Sequence, residues 1–534
     1  MPRSLLLTVL AAATAAIGAS ARQTENFGPS FDSARENAPR IFNAVHNAMR
    51  EFGSALQHNG MSLFPANIAE GVRLYHGTSS TRVPEGLEWL AFEIEHAQNF
   101  ARPPRGPPPP TEADGEEAWR PLLHDHANPG HFIRALRHAG KPSHDEPDEP
   151  RHGYLHIYES TRPLRVLYID GTAAGKTNMG TLDTQDYLLT GKPDRTGFGD
   201  WERAQDLCEL AETWDIDGFI RMEPGFEVII CDFTRGLRLI STHQQPETEF
   251  TPSERGIGMF EWARAASQRY NGIGASRVKL DFSSMVSAFF YPVNLTNPDA
   301  ERPDLPRLKE TTTSELEIMR EHITNTTLRS VAKVEDIIDW QGITDMIVSR
   351  YADRLPTMAD TGSVDVFRYE INSLLDVHID YRGEDIDLEA AQKRCVSFYL
   401  STVQPRTPED HLLYEAFSST TNLICTNLFK ARKIMVEDSN GDQASLFAGK
   451  KIARDLMDHL LWSRWKECGR CQSDEVCFVA MWPLGAAEDH YHPSCVNYTS
   501  MDQRHGYWGW PGRPGPPHER PGDKDHFPGK EGEL

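Results

Sequence analysis

Residues 225 to 233, "GFEVIICDF", decide how the first half of the chain is read. They follow Glu223-Pro224-Gly225, a turn signature, and are rich in β-branched and aromatic residues, so they read as a strand. With a period of two, Phe226, Val228 and Ile230 lie on one side and Glu227, Ile229 and Cys231 on the other. A strand that is apolar on both faces belongs in the middle of a sheet, which leaves Glu227 as a lone carboxylate in apolar company. Burying an unpaired carboxylate is costly, so such a residue is a site candidate. The plainer reading is a strand-end carboxylate that is wet or paired with Arg221.

The segments upstream alternate strands with helices. "VRLYHGTSS" (72 to 80) is a short strand ending in His76-Gly77-Thr78, and "EWLAFEIEHAQNFA" (88 to 101) is a strand breaking into a helix. "YLHIYES" and "LRVLYIDG" read as a hairpin around Arg162-Pro163. "DWERAQDLCELAETW" (200 to 214) is an amphipathic helix with Trp201, Ala204, Leu207, Ala211 and Trp214 inward, followed by the strands "DGFIRM" and, after residue 233, "LRLIS". Residues 165 to 180, "RVLYIDGTAAGKTNMG", look like a strand entering a phosphate-binding loop. A Walker A loop, however, needs Gly, four residues, then Gly-Lys-Ser/Thr. Here only three residues separate Gly171 from Gly175, Asp170 stands where the first glycine should, and no apolar stripe of helical period follows. The segment reads instead as a core strand and a glycine-rich turn.

The order "LYHGT", "WLAFEIEHAQNFA", then hydrophobic strands, then "GFEVIICDF" resembles the ADP-ribosyltransferase fold, in the branch whose signature residues are His, Tyr and Glu. His76, Gly77 and Thr78 match the first motif, Trp89 falls at the Tyr position, and Glu227 matches the catalytic Glu. The resemblance covers about 170 of the 534 residues and implies NAD as substrate, no metal, and transfer of ADP-ribose to an acceptor or to water. It assigns Glu227 to holding the ribose hydroxyl and stabilising the oxocarbenium-like charge. His76 would bind the adenosine-side ribose, Thr78 and the turn backbone would fix the nicotinamide amide, and Trp89 would stack on its ring. Trp89 departs from the family pattern by lacking the hydroxyl. The plainer reading of His76 is a satisfied histidine at a strand end.

The remaining sequence bounds the setting. Residues 1–21 read as a signal peptide ending Ala19-Ser20-Ala21, and sequons at Asn294, Asn325 and Asn497 suit a secretory route with N-glycans. Eight cysteines then read as disulfides. Four of them, Cys468, Cys471, Cys477 and Cys495, cluster in a spacing that also admits zinc. A net charge of −23 argues against nonspecific binding to nucleic acid or anionic membrane. The expected fold class is α+β. A helical lead-in (22–60) precedes an ADP-ribosyltransferase-like split-sheet domain (61–250) with an irregular insertion (102–152). A mainly helical domain (255–500) holding the cysteine cluster follows, then a disordered Gly/Pro-rich tail (502–534). Within the helical part, Thr312 to Glu315 spells a capping box and Thr407-Pro408 a helix start.

Two functions compete: a secreted enzyme cleaving NAD, or a non-catalytic extracellular binding protein that keeps the scaffold. A metal-dependent hydrolase using His124, His126, His490 or His492 has no supporting ligand spacing.

Overall fold

The computed structural model describes residues 27–103, 152–195, 199–246, 252–329, 338–382, 386–437, 443–501, 504 and 506–508. Residues 1–21, nearly all of the 102–152 insertion, His124, His126 and most of the tail lie outside these.

The chain starts with three helices, α1 (Phe31–Glu36), α2 (Ala38–Asn47) and α3 (Glu51–Leu56). The strands β1 (Asn59–Ile68), β2 (Arg73–Thr78), β3 (Glu88–Ala91), β4 (Tyr154–Ser160), β5 (Leu164–Gly171), β6 (Gly218–Glu223), β7 (Gly225–Ile230) and β8 (Leu237–Gln244) follow, with β9 (Val278–Leu280) and β10 (Val286–Ser287). All join one sheet in the order β10-β1-β5-β6-β7-β3-β2-β4-β8, with β9 also on β1. β5 and β6 run parallel, and the other pairs are antiparallel. Strands β2 and β3 meet at a single register pair, Tyr75 with Ala91, so the sheet divides there into two halves. The chain thus has the expected sheet domain at its N-terminal side.

Three expectations are corrected. The lead-in is helical only to Leu56, and β1 begins at Asn59 as an interior strand. Pro65 argues against a strand there, since proline cannot donate to a ladder. It is tolerated because it falls between the residues that pair with β10 (Ser62, Leu63) and those that pair with β9 (Ala66 to Ile68). Second, β4 and β5 are not a hairpin: β4 pairs with β2 and β8, β5 with β1 and β6. The turn between them carries the chain from one half-sheet to the other, pinned by Arg162, whose guanidinium donates to both Asp217 carboxylate oxygens at 2.8 and 2.6 Å. Third, the tail is not wholly free, because Tyr507 is buried and bridges to Gly485.

Short helices α4 (Ile94–Gln98) and the long α5 (Asp200–Trp214) cover one face of the sheet. Helices α2 and α3 cover the other, where Ser54 and the Tyr168 hydroxyl are 3.2 Å apart. After α6 (Pro252–Ser267) and the strands β9 and β10, the chain is mainly helical, as its sequence implies. The first of these later helices, α7 (Thr313–Arg329), starts at the capping box: Thr312 N–H donates to Glu315 at 2.8 Å. A 25-residue helix, Pro408–Arg432, is capped by Thr407 and Asp410 and packs its Phe417 against Phe42 of α2 with ring centres 5.1 Å apart. A single hydrophobic core therefore runs from Ala34 to Met501, and the helical part is built onto the sheet rather than set apart from it.

All eight cysteines are paired, as Cys208–Cys231, Cys395–Cys425, Cys468–Cys477 and Cys471–Cys495. The last two bridge the terminal cluster, which favours the disulfide over the zinc reading of its spacing. Peptide mapping under non-reducing conditions is expected to recover these four linkages, and a free thiol in the 468–495 cluster would contradict the pairing.

Candidate functional site

Register fixes which side chains share a face. Glu227 lies opposite Ala91, and Ala91 opposite Tyr75. Trp89, opposite Ile229, is on the same face as Glu227, and so is Gly77; His76 and Thr78, one residue out of phase along β2, belong to the other. The structure therefore brings Glu227 and Trp89 to one side of the sheet and separates His76 from both.

On its own face, His76 is a packed histidine. One ring nitrogen bonds the Trp89 carbonyl at 2.8 Å, and the ring lies against His156 and Phe233. Burial holds its pKa down at about 4, so it is uncharged at neutral pH. Gly77 is a packing glycine: a Cβ there would stand 1.9 Å from the Ala97 carbonyl oxygen of α4. Thr78 is half-buried and accepts a bond from Ser80 N–H. The Trp89 ring is partly buried and tilted against Trp201 of α5 at 5.4 Å.

Glu227 sits in a dense cluster of buried charge. Arg221, fully buried on the neighbouring strand, donates through Nε and a terminal nitrogen to Glu227 Oε1, the first at 2.9 Å. That same terminal nitrogen also donates to Asp200 at 3.2 Å, and the other donates to Gln185 at 3.0 Å. Asp200, the first residue of α5, also meets Lys176 at 3.4 Å, and Lys176 meets Glu223 at 3.2 Å. Burial alone would raise the Asp200 pKa, but Lys176, Arg221 and Arg203 outweigh it and bring it to about 2. At the turn between β6 and β7 the balance is the reverse. Burial raises Glu51 far above its ordinary value, with Glu93 adding to it, and burial lifts Glu93 to about 7 against the opposing His96 and Arg269. Burial likewise raises Glu223 despite Lys176.

The lysine of the rejected phosphate loop thus has a structural address: Lys176 turns inward, onto carboxylates. Sequence reading named Glu227 and its partner Arg221 but missed His96, Lys176, Asp200 and Glu223. Arg221 and Glu223 alternate with apolar residues in "FIRME", which is a legible period-two signal. Lys176 and Asp200 sit in loop and helix-start contexts where charge is ordinary, so nothing local marks them. Helix α5 closes over the cluster and is fixed to β7 by Cys208–Cys231, whose Cys231 lies two residues beyond Ile229.

The model for the YPL277C N-terminal domain family matches residues 25–251, which take in β1 to β8 but not β9 and β10. The uncharacterized protein YOR389W of Saccharomyces cerevisiae is 25% identical over 541 aligned residues, covering 86% of this chain and 84% of that one. The uncharacterized protein YPL277C of the same yeast is 33% identical over 212 residues, 37% of this chain and 41% of that one. No solved structure matches.

Two outcomes follow from this geometry. Glu227→Gln removes one of the two carboxylates on the buried Arg221, leaving only Asp200, and is expected to cost about 3 kcal/mol of stability by chemical unfolding, whereas Glu227→Gln with Arg221→Met costs less than the sum of the two single changes. The unfolded chain takes up a proton at histidine near pH 6.5 whereas folded His76 does so near 4. Its neutral burial therefore supplies stability above pH 6.5 that is lost as the pH falls toward 4. His76→Gln should reduce the acid-induced loss across that window by about 3 kcal/mol, read as the difference from wild type.

Proposed function

We propose that the protein is a non-catalytic, disulfide-braced extracellular binding protein, with a scaffold resembling that of ADP-ribosyltransferases but without their reaction. The observation that carries this reading is the separation of His76 and Glu227 onto opposite faces of the sheet. A carboxylate that steadies charge on a ribose must face the sugar held by its partner residues. Here Glu227 faces Arg221 and is 5% exposed, and the helix above it is held down by a disulfide. Trp89, assigned to stacking on a nicotinamide, packs on Trp201 instead.

Extracellular residence is supported by the four disulfides, by the leader-like start of the sequence and by the position of the sequons. Asn294 and Asn325 are exposed and open to glycan addition, whereas Asn497 is half-buried, its side-chain oxygen accepting from Ser500 N–H. No described helix is long and apolar enough to cross a membrane.

The test is nicotinamide release from NAD by purified protein, wild type beside Glu227→Gln. No release above the uncatalysed background is expected from either. Release by the wild type that falls a hundredfold or more in Glu227→Gln would establish the enzyme instead.

A further inference from the structure

Three metal-ligating side chains converge at one end of the charge cluster, beside the turn between β6 and β7. We propose that His96, Glu223 and Glu227 form a binding site for one divalent transition-metal cation, a site that clamps α4 to the β6–β7 hairpin. This stands independently of the proposed function, since it needs neither NAD nor catalysis.

The donor atoms of these three residues all lie within 4.8 Å of one another. Donors sharing a zinc-type ion at about 2.0–2.2 Å stand up to roughly 4 Å apart, so a small inward adjustment of side chains suffices. Their orientation suits a ligand role. His96 Nδ1 lies 2.9 Å from the Pro224 carbonyl oxygen, which the Trp262 indole N–H also reaches at 3.0 Å; with Trp262 donating to that carbonyl rather than to Nδ1, 3.3 Å away, Nδ1 carries the hydrogen. A backbone carbonyl that fixes the imidazole tautomer in this way is the usual support behind a metal-bound histidine. Nε2 is thereby directed at Glu223 Oε1, 3.6 Å away, too far for a hydrogen bond and close enough to share an ion. Each carboxylate meets its fixed cation through one oxygen: Glu223 Oε2 on Lys176, and Glu227 Oε1 on Arg221.

The surroundings are rich in buried carboxylates. Asp200, Glu223, Glu227, Glu93 and Glu51 are all buried. Facing them are Lys176, Arg221 and, 3.3 Å from Glu93, Arg269. Arg203 bonds Asp186 and also lies 3.8 Å from Asp200. A separate observation marks the same turn. Glu51 is wholly buried, spends Oε1 on Gly225 N–H at 3.1 Å between the two carboxylate ligands, and has no hydrogen-bond partner for Oε2. Two carboxylates with one imidazole suit zinc or manganese better than the thiolate-preferring ions.

The experiment uses the full-length protein without a histidine tag, purified without chelator. Elemental analysis is expected to find about one equivalent of zinc or manganese. After chelator treatment, adding Zn2+ or Mn2+ should raise the melting temperature. His96→Gln and Glu223→Gln should each weaken metal binding at least tenfold, whereas His490→Gln, outside the cluster, should leave it unchanged. Should the variants fail to fold, Co2+ loading of the wild type decides: visible d–d bands without a thiolate charge-transfer band fit His and carboxylate ligands. Protein that is metal-free as isolated and shows no thermal response to any of the three ions overturns the proposal. So does metal retained equally by His96→Gln and Glu223→Gln, or a thiolate band in the cobalt spectrum.

Discussion

The arrangement of the sheet's covered face depends on one constraint, a guanidinium placed where no water can reach it. Arg221 must find acceptors for its N–H groups inside the protein, because an unpaired buried charge is among the most expensive features a fold can carry. It finds Glu227 on the next strand, Gln185 in the short π-helix Thr184–Leu189 after β5, and Asp200 at the start of α5. Each acceptor imposes a further requirement. Gln185 is oriented by donating to the Ala173 carbonyl at 2.6 Å. Asp200 draws in Lys176, and Lys176 draws in Glu223. Ion pairs of this depth return little net stability, since desolvation offsets the attraction. Their effect is to penalise any arrangement in which one partner is displaced, so β6, β7, the loop after β5 and the head of α5 are placed together or not at all.

The sheet was largely legible because its strands carry simple signals. "LRVLYIDG", "FEVIICDF" and "YLHIYES" are β-branched or aromatic runs between turn residues, and each is a strand at nearly the expected bounds. The helix starts at Thr312 and Thr407 were legible for a local reason, since a capping box closes its hydrogen bonds within four residues. What failed was information that no local window holds. Pro65 weakens the strand signal of β1, and no local window reveals that the partners of β1 change from β10 to β9 at that point. The β4–β5 pairing failed because adjacency in sequence favours a hairpin, whereas Arg162 is held by Asp217, fifty-five residues away.

The candidate site shows the same division more sharply. That Glu227 needs a partner could be read from its strand, and Arg221 could be named. The face on which His76 falls could not, because it depends on how two strands distant in sequence are registered through β3, and a shift of one residue reverses it. Motifs whose order matches a family leave this phase undetermined. Gly77 illustrates the point: it looked like part of a ligand-binding turn, yet the backbone of α4 approaches so closely that only glycine fits.

The division into a sheet domain and a helical domain also changes meaning once packing is considered. The family match ends at residue 251, but the sheet takes two more strands from 278 to 287, and Phe42 packs on Phe417 and stacks on Trp462 from the helical part. A fragment ending at 251 would expose the outer edge of β1 and uncover the apolar side of α2, leaving unpaired backbone and bare hydrophobic surface together. The similarity to YOR389W runs across 86% of the chain, well past that boundary. The helical half is therefore best understood as the other wall of one core, and the charged cluster under α5 as the part of that core where buried charges are held in place by their pairing with one another.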